Sequence, residues 1–92
     1  MIKINDTDYE LIENARDGFD LESLKERFTD YFEKYDYVVG DWSYGKLRLK
    51  GFNDKKNKNF NKINDYKNLN NYIENYCSYG CKYFVIKKVN VD

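Results

Sequence analysis

Residues 35–52, YDYVVGDWSYGKLRLKGF, have the pattern of a β-hairpin. A run of β-branched and aromatic residues is followed by a turn that contains glycine, and residues 46–52 then alternate between two kinds of side chain. The first kind is apolar or small and comprises Leu47, Leu49 and Gly51. The second is basic with aromatic ends and comprises Tyr44, Lys46, Arg48, Lys50 and Phe52. Because side chains alternate across a strand, this strand is predicted to bury one face and expose the basic one.

The N-terminal third predicts a strand and then a helix. Two short apolar or alternating runs, residues 1–4 and 9–12, predict one first strand or two pieces of it, before a turn at residues 17–18. The helix is predicted to begin at Asp20, a favoured N-cap residue, and to end near Tyr35. Its apolar positions follow helical spacing and are Leu21, Leu24, Phe28, Tyr31, Phe32 and Tyr35.

The C-terminal half predicts a loop, a second helix and a last strand. Residues 53–62 contain four lysines and no periodicity, which indicates a solvated loop. The helix is predicted to be capped by Asn64 and closed by Gly80, which can adopt the left-handed conformation. Its apolar stripe comprises Tyr66, Leu69, Tyr72, Ile73 and Tyr76. Residues 83–89, YFVIKKV, predict a strand that is interior at residues 84–86.

These elements predict an α+β fold with the order β-α-β-β-α-β and a mostly antiparallel sheet. The order is that of ferredoxin-like domains, in which two helices pack on one face of the sheet and leave the other face open. Open faces of this kind often bind RNA, although other α+β topologies share the same element order and fold alone does not define function.

Composition and charge narrow the class of protein. Ninety-two residues predict a single domain over residues 1–92, and the absence of a long apolar span or a signal peptide predicts a soluble, cytoplasmic protein that does not enter membranes. Sixteen basic residues balance sixteen acidic ones. Residues 1–45 nevertheless carry a net charge of −7 and residues 46–92 a net charge of +7, an asymmetry that can make one side of the molecule basic unless folding interleaves the two halves.

Catalytic chemistry has little support in the sequence. The chain has no histidine, which is the usual general base, and no phosphate-loop or nucleophile-elbow pattern. Asp17, Asp36 and Asp41 lie beside predicted turns, where aspartate usually serves turn chemistry. We therefore expect a protein that is not an enzyme and needs no cofactor.

Cys77 and Cys81 form a C-x-x-x-C pair in CSYGC. Structural zinc takes four nitrogen or sulfur ligands, so this pair would need a dimer to complete a four-cysteine site. The negative end of a helix near Cys77 would oppose the thiolate form, and cytosolic thiols are normally reduced. Two reduced, packed cysteines without a metal are the expectation, and a thiol redox sensor is the alternative.

The basic face of the second hairpin strand is the main candidate binding site. Nucleic-acid sites combine cations for phosphates with flat rings for bases. The candidate residues are Trp42, Tyr44, Lys46, Arg48, Lys50 and Phe52. They favour a binding or adaptor domain that contacts RNA or ribonucleoprotein. The alternatives are a protein-interaction module, including one that self-associates through its oppositely charged halves, and a plain solvated strand whose cations pair with acids of the first half.

Three segments resemble one protein family. They are ENARDGF (residues 13–19), YDYVVGDWSYGKLRLKGF (residues 35–52) and YCSYGCKYFVIKK (residues 76–88), and they are similar to the corresponding stretches of the YutD-like proteins of low-GC Gram-positive bacteria. The resemblance spans nearly the whole chain. It implies one α+β domain in a bacterial cytoplasm and assigns no catalytic residue or cofactor.

Overall fold

The computed structural model describes residues 2–76 and 80–89. Five strands, two α-helices and two short 3-10 helices occur in these residues. In chain order they are β1 (Ile2–Ile4), β2 (Thr7–Ala15), α1 (Leu21–Arg27), a 3-10 helix (Asp30–Lys34), β3 (Tyr37–Ser43), β4 (Lys46–Phe52), a 3-10 helix (Tyr66–Asn68), α2 (Leu69–Tyr76) and β5 (Tyr83–Lys88). In this part of the chain, neither helix has the length and apolar character needed to cross a membrane.

The strands form one antiparallel sheet in the order β1-β2-β5-β3-β4. The predicted α+β class and the antiparallel sheet are confirmed. β5 lies in the interior, where it pairs with both β2 and β3, and its central residues 84–86 are buried as predicted. The last strand of the sequence is therefore the one that joins the two hairpins.

Two buried clusters lie on opposite faces of this sheet. The first core comprises Ile4, Tyr9, Leu24, Phe28, Tyr35, Val38, Leu47, Phe84 and Ile86, and the second core comprises Tyr37, Val39, Phe52, Leu69 and Val85. Leu24 of α1 packs in the first core with Val38, whereas Leu69 of α2 packs in the second with Val39. Because consecutive residues of a strand point to opposite faces, the two helices cover opposite faces.

The ferredoxin-like arrangement with both helices on one face is therefore wrong, and no whole face of the sheet is left open for RNA. The apolar stripes of the two helices show only that each helix packs on something. The face that each helix covers depends on the path of the connections, which the element order does not specify.

The N-terminal elements are more numerous than the predicted strand and helix, and their lengths differ from the prediction. The first strand is a hairpin, β1–β2, whose turn residues Asn5 and Asp6 have φ values of 49° and 66°. Helix α1 begins at its predicted cap, since the Asp20 carboxylate accepts hydrogen bonds from the backbone N–H groups of Glu22 and Ser23. It ends at Arg27 rather than near residue 35. The apolar periodicity that predicted one long helix is divided between α1 and the 3-10 helix that follows it.

The asparagine-rich connection between β4 and α2 is held by its own side chains. Asn53 and Asn64 are both buried. Asn64 does not cap the second helix, because its side chain accepts from Asn61 N (2.9 Å) and donates to Asn59 O (3.1 Å). Asp65 instead caps the 3-10 helix, accepting from Lys67 N at 3.0 Å. The segment predicted as a featureless loop is thus organised by amide hydrogen bonds.

Candidate functional site

The hairpin β3–β4 forms one edge of the sheet. Its strands are in register from Tyr37↔Phe52 to Ser43↔Lys46, so the loop has two residues. These residues, Tyr44 and Gly45, have φ values of 53° and 75°. Positive φ at both central positions is the type I′ geometry whose twist matches the flanking strands. The predicted hairpin is confirmed, and its register is set by this turn.

The predicted alternation along β4 is present. Leu47 is 4% exposed and lies in the first core, and Leu49 is half-buried against it. Lys46 and Arg48 are exposed on the other face, and Lys50 is half-buried there. The basic side chains therefore project from one side of the edge strand.

The aromatic candidates do not join these cations. Phe52 is only 1% exposed and lies in the second core, where its ring meets the Tyr72 ring edge-on at 5.8 Å. Trp42 packs against the first core on the opposite face, and its Nε1 donates to Gly18 O at 2.7 Å. Tyr44 is fully exposed, but it lies in the turn. The flat platform on which bases would stack is not assembled by these residues.

The Arg48 side chain forms an ion pair with a buried carboxylate. Its guanidinium donates to Asp41 Oδ2 across the hairpin, and Asp41 is fully buried. The Tyr72 hydroxyl donates to the other carboxylate oxygen of Asp41 at 3.4 Å. The hydrogen bond that Arg48 donates to Asp41 raises the pKa of Arg48 above its usual value. Asp41, expected to serve turn chemistry, is thus the structural partner of Arg48.

This pair could have been found from the sequence. A two-residue turn at residues 44–45 places Asp41 directly opposite Arg48, and opposite charges are favoured at such positions. The alternation within one strand, by contrast, does not identify its cross-strand partners.

At the outer edge of β4 the backbone groups of alternate residues point away from the sheet; of these residues Leu49 is half-buried, and Leu47 and Gly51 are buried. Trp42 N donates to Lys82 O at 3.1 Å. Because backbone groups alternate in direction along a strand, the even-numbered residues of β3 bond toward β5 and the odd-numbered residues bond toward β4. The register then turns the backbone groups of Lys46, Arg48 and Lys50 inward. Those of Leu47, Leu49 and Gly51 point out of the sheet. Among the described residues, no turn or loop hydrogen bond reaches these outward groups.

Asn53, the residue after β4, is the next one whose backbone groups point out of the sheet, and these groups are hydrogen-bonded. Its N–H donates to Asn64 O at 2.7 Å and its carbonyl accepts from Tyr66 N at 2.9 Å. These bonds form a parallel bridge between Asn53 and Asp65. The chain itself therefore adds one extended residue at the end of this edge, beyond the last residue of β4.

A groove of about 360 Å³ lies beside the same edge, between β4 and α2. Phe52 and Tyr72 supply apolar surface, and Lys50 lies at the β4 side. Ile63 lines the groove with its side chain 77% exposed, and Asn71 and Asn75, one helical turn apart on α2, supply amides. The groove combines apolar walls with a few polar groups, as binding sites usually do.

The three segments that resemble the family meet at the other end of the hairpin. Asp17, Gly18 and Phe19 of the first segment, Trp42 and Gly45 of the second, and Lys82 of the third line one open depression of about 710 Å³. Gly18 approaches β5 so closely that a Cβ there would lie 2.6 Å from Tyr83 N. The hydrogen bond from Trp42 to Gly18 lies in the same region, so the three segments are joined there by structural contacts.

The remaining chemical candidates are dispersed. Asp36 accepts from Asp54 N (2.9 Å) and from the Asn57 side chain (3.1 Å), and thus holds the loop after β4. Asp17 lies in a left-handed turn with φ 56°. Within residues 2–76 and 80–89, no three Cys, Asp or Glu side chains are grouped as ligands of a metal ion would be.

The cysteines differ from the expectation of reduced thiols. Cys81 is disulfide-bonded in the structure, so that expectation is wrong for it. The other cysteine of the chain, Cys77, lies outside the described residues, as do residues 78 and 79. Gly80 has the predicted left-handed conformation, with φ 76°. A redox role for Cys77 and Cys81 stays a prediction.

Comparison with known proteins assigns the chain to a family. The family described as "Putative antitoxin YutD-like" matches residues 3–87. A Bacillus subtilis (strain 168) protein described as "Putative antitoxin YutD" is 47% identical over 89 residues, which are 97% of this chain and 98% of that protein. The solution NMR structure of protein yutD from B. subtilis superposes with a TM-score of 0.81 at 47% identity and covers 98% of this chain and 82% of that one. The chain therefore belongs to the YutD-like family.

Proposed function

We propose that this protein is a non-catalytic binding protein, that its partner is another protein, and that the edge hairpin β3–β4 makes the contact. The observation that carries the proposal is the exposed, basic edge of the sheet at β4. The three basic side chains of this seven-residue edge strand project from one face, with Lys46 and Arg48 exposed, and such a surface suits an acidic polypeptide partner.

The placement of the aromatic rings favours protein over RNA. Single-stranded nucleic acid is held by rings on which bases stack, and Phe52 and Trp42 are packed into opposite cores. Of the three cations on β4, Arg48 is held by Asp41. Lys46 and Lys50 then supply the positive charge of the edge. Two lysines suit an acidic protein surface without providing any means of recognising bases.

The description of the family fits the same proposal. The family and the B. subtilis relative are both described as a putative antitoxin. A protein that acts on a toxin protein would do so by binding it, and such a role needs an interaction surface and no catalytic residues. We propose the same role for the present chain.

The test is affinity capture from a lysate of the native host, with and without nuclease. We compare wild type with Lys46→Glu/Lys50→Glu, which reverses the two available charges and spares Arg48. The matched control is Lys3→Glu/Lys25→Glu, which makes the same change in net charge on β1 and α1. The expected result is a protein partner that resists nuclease, weakens with salt and is lost only with the β4 variant.

Two outcomes contradict the proposal. If nuclease removes the captured material, the partner is held through nucleic acid and the RNA hypothesis takes precedence. If both double variants capture the partner as well as wild type does, the edge hairpin is not the contact surface. Circular dichroism of each variant verifies that the fold is retained.

A further inference from the structure

We infer that the groove between β4 and α2 holds one aromatic side chain of the partner protein, within an acidic segment that meets the lysines of β4. This inference rests on the proposed function and specifies the kind of segment that the partner presents. Three observations carry it: the apolar lining of the groove, the fixed position of an exposed isoleucine beside it, and the positive charge on its β4 side.

The lining of the groove determines the anchor. The Phe52 ring lies at its base, only 1% exposed, and meets the Tyr72 ring edge-on at 5.8 Å. Tyr72 is half-buried and Ile63 is exposed, so these two side chains present the apolar surface that a partner reaches. A third ring placed there extends the edge-to-face packing, which favours an aromatic anchor over an aliphatic one. The volume of about 360 Å³ is near the lower end for binding clefts and suits a single side chain with its adjoining backbone.

Ile63 is held in position by amide hydrogen bonds. Asn61 Oδ1 accepts from the backbone N–H groups of Ile63 and Asn64, both at 2.9 Å. The Asn68 side chain, which itself lines the groove, donates to Lys62 O at 3.0 Å. Because these bonds fix the loop before a partner arrives, a contact at Ile63 costs little conformational entropy. The exposed isoleucine and the apolar groove therefore form one pre-organised contact surface.

The charge around the groove determines what flanks the anchor. Lys50 lines the groove, with its Nζ 5.9 Å from the centre of the Phe52 ring, and the other described lining residues are uncharged. Lys46 lies on the same face of β4, four residues away, which is about 13 Å along a strand. A segment with one acidic residue beside its aromatic residue and another about 13 Å further along meets both lysines. Asn71 and Asn75, exposed amides that donate and accept hydrogen bonds, suit the backbone of that segment.

A second copy of this chain is a less suitable occupant. Two of its described aromatic side chains are exposed, Tyr31 and Tyr44. Tyr31 follows the acidic Asp30, but Lys34 Nζ lies over its ring at 4.4 Å from the centroid, and its hydroxyl accepts a hydrogen bond from Tyr35. Tyr44 lies in the turn that leads into the basic strand β4, where like charges would oppose docking. The occupant is therefore a segment of another protein.

The probes are short, unlabelled synthetic peptides in which a central phenylalanine is flanked by glutamates, and isothermal titration calorimetry measures their affinity. In three control peptides, alanine replaces the phenylalanine, glutamine replaces the glutamates, or lysine replaces the glutamates. The alanine peptide should bind at least about tenfold more weakly, because the anchor is lost. The glutamine peptide should also bind more weakly, and the lysine peptide should not bind.

Two substitutions in the protein locate the peptide in the groove. Ile63→Ser should weaken the phenylalanine–glutamate peptide by about tenfold, whereas the matched control Ile12→Ser, an exposed isoleucine on β2, should leave its affinity unchanged. Lys50→Gln should weaken the glutamate peptide more than the glutamine peptide, and Lys3→Gln on β1 should weaken neither. In a titration followed by NMR, the amide signals of the groove residues should shift and those of β1 should not.

The inference is overturned if the phenylalanine–glutamate peptide does not bind, if Ile63→Ser binds it as wild type does, or if a single-stranded RNA oligonucleotide displaces it. When nuclease-resistant capture of a protein still succeeds in that case and is still lost with Lys46→Glu/Lys50→Glu, the proposed function stands and only this mode of docking is wrong. When capture fails as well, both are wrong. Self-association on sedimentation that is lost with Ile63→Ser would show instead that a second copy occupies the groove.

Discussion

Asp41 buries a carboxylate on the second-core face of the sheet, and Arg48 is the cation that compensates it. The Asp41 side chain is 1% exposed, whereas that of Arg48 is 42% exposed. A buried charge that loses its partner is strongly destabilising, while an exposed cation is nearly neutral to stability. Residues that look equivalent in the alternating sequence of β4 therefore differ in role.

Arg48→Met should lower the free energy of unfolding by about 2–3 kcal/mol, a value below that of a fully buried pair because Arg48 is partly exposed. Lys46→Met, on the same face, should change it by less than about 0.5 kcal/mol. Urea unfolding of both variants at neutral pH measures the difference. Equal values would mean that the Asp41 contact contributes nothing beyond an ordinary surface pair.

At the scale of elements, the edge hairpin packs in the first core through one face and in the second core, through Tyr37, Val39 and Phe52, on the other. Leu47 enters the first core, and Gly51 lies beneath the Tyr35 ring, where an added Cβ would lie 2.2 Å from ring atoms. Leu49 packs at the margin of the same cluster. The apolar positions of β4 are thus buried to different extents, although the sequence pattern gives no sign of this difference.

Leu47→Ala should cost about 2–5 kcal/mol, the usual range for a buried leucine. Leu49→Ala should cost roughly 1–2 kcal/mol, because part of its surface is already in contact with water. Thermal or denaturant unfolding of the two variants measures both values. A larger loss for Leu49 than for Leu47 would contradict the observed burial.

The whole molecule depends on tyrosine to fill two small cores, and this makes its stability sensitive to alkaline pH. Burial raises the pKa of Tyr9 to about 12, with the negative charge of Glu33 adding to the shift. Burial also raises the pKa of Tyr35 to about 12, and its hydrogen bond to Tyr31 adds to that shift. Both tyrosines therefore favour the neutral form in the folded state.

The free energy of unfolding should stay constant up to about pH 10, the unfolded pKa of tyrosine, and should fall as the pH rises toward 12. Urea unfolding between pH 8 and pH 12 measures this profile. Tyr9→Phe should flatten this pH profile.

At pH 7 the same change, Tyr9→Phe, should be neutral or stabilising by up to about 1 kcal/mol, since the buried Tyr9 hydroxyl has no hydrogen-bond partner among the described residues. A clear loss at pH 7 would show that the hydroxyl is bonded.

Local patterns in the sequence determined the edge hairpin, the side on which its cations project, the Asp20 cap and the interior position of the last strand. Each depends on neighbours in sequence: the period of a strand, the preference of a cap, or the short connection across a two-residue turn. The α+β class followed from the same signals, and the family resemblance is confirmed by the matches to YutD-like proteins.

Tertiary structure alone decided which face each helix covers and which residues of the candidate site remain accessible. Phe52 continues the alternation of Lys46, Arg48 and Lys50, yet it is buried in the second core, whereas Lys46 is exposed and Lys50 half-buried. Trp42 is close to these residues in sequence but is bonded to Gly18 on the other face. Burial depends on what packs against a strand from distant parts of the chain, and periodicity within one strand contains no information about those partners.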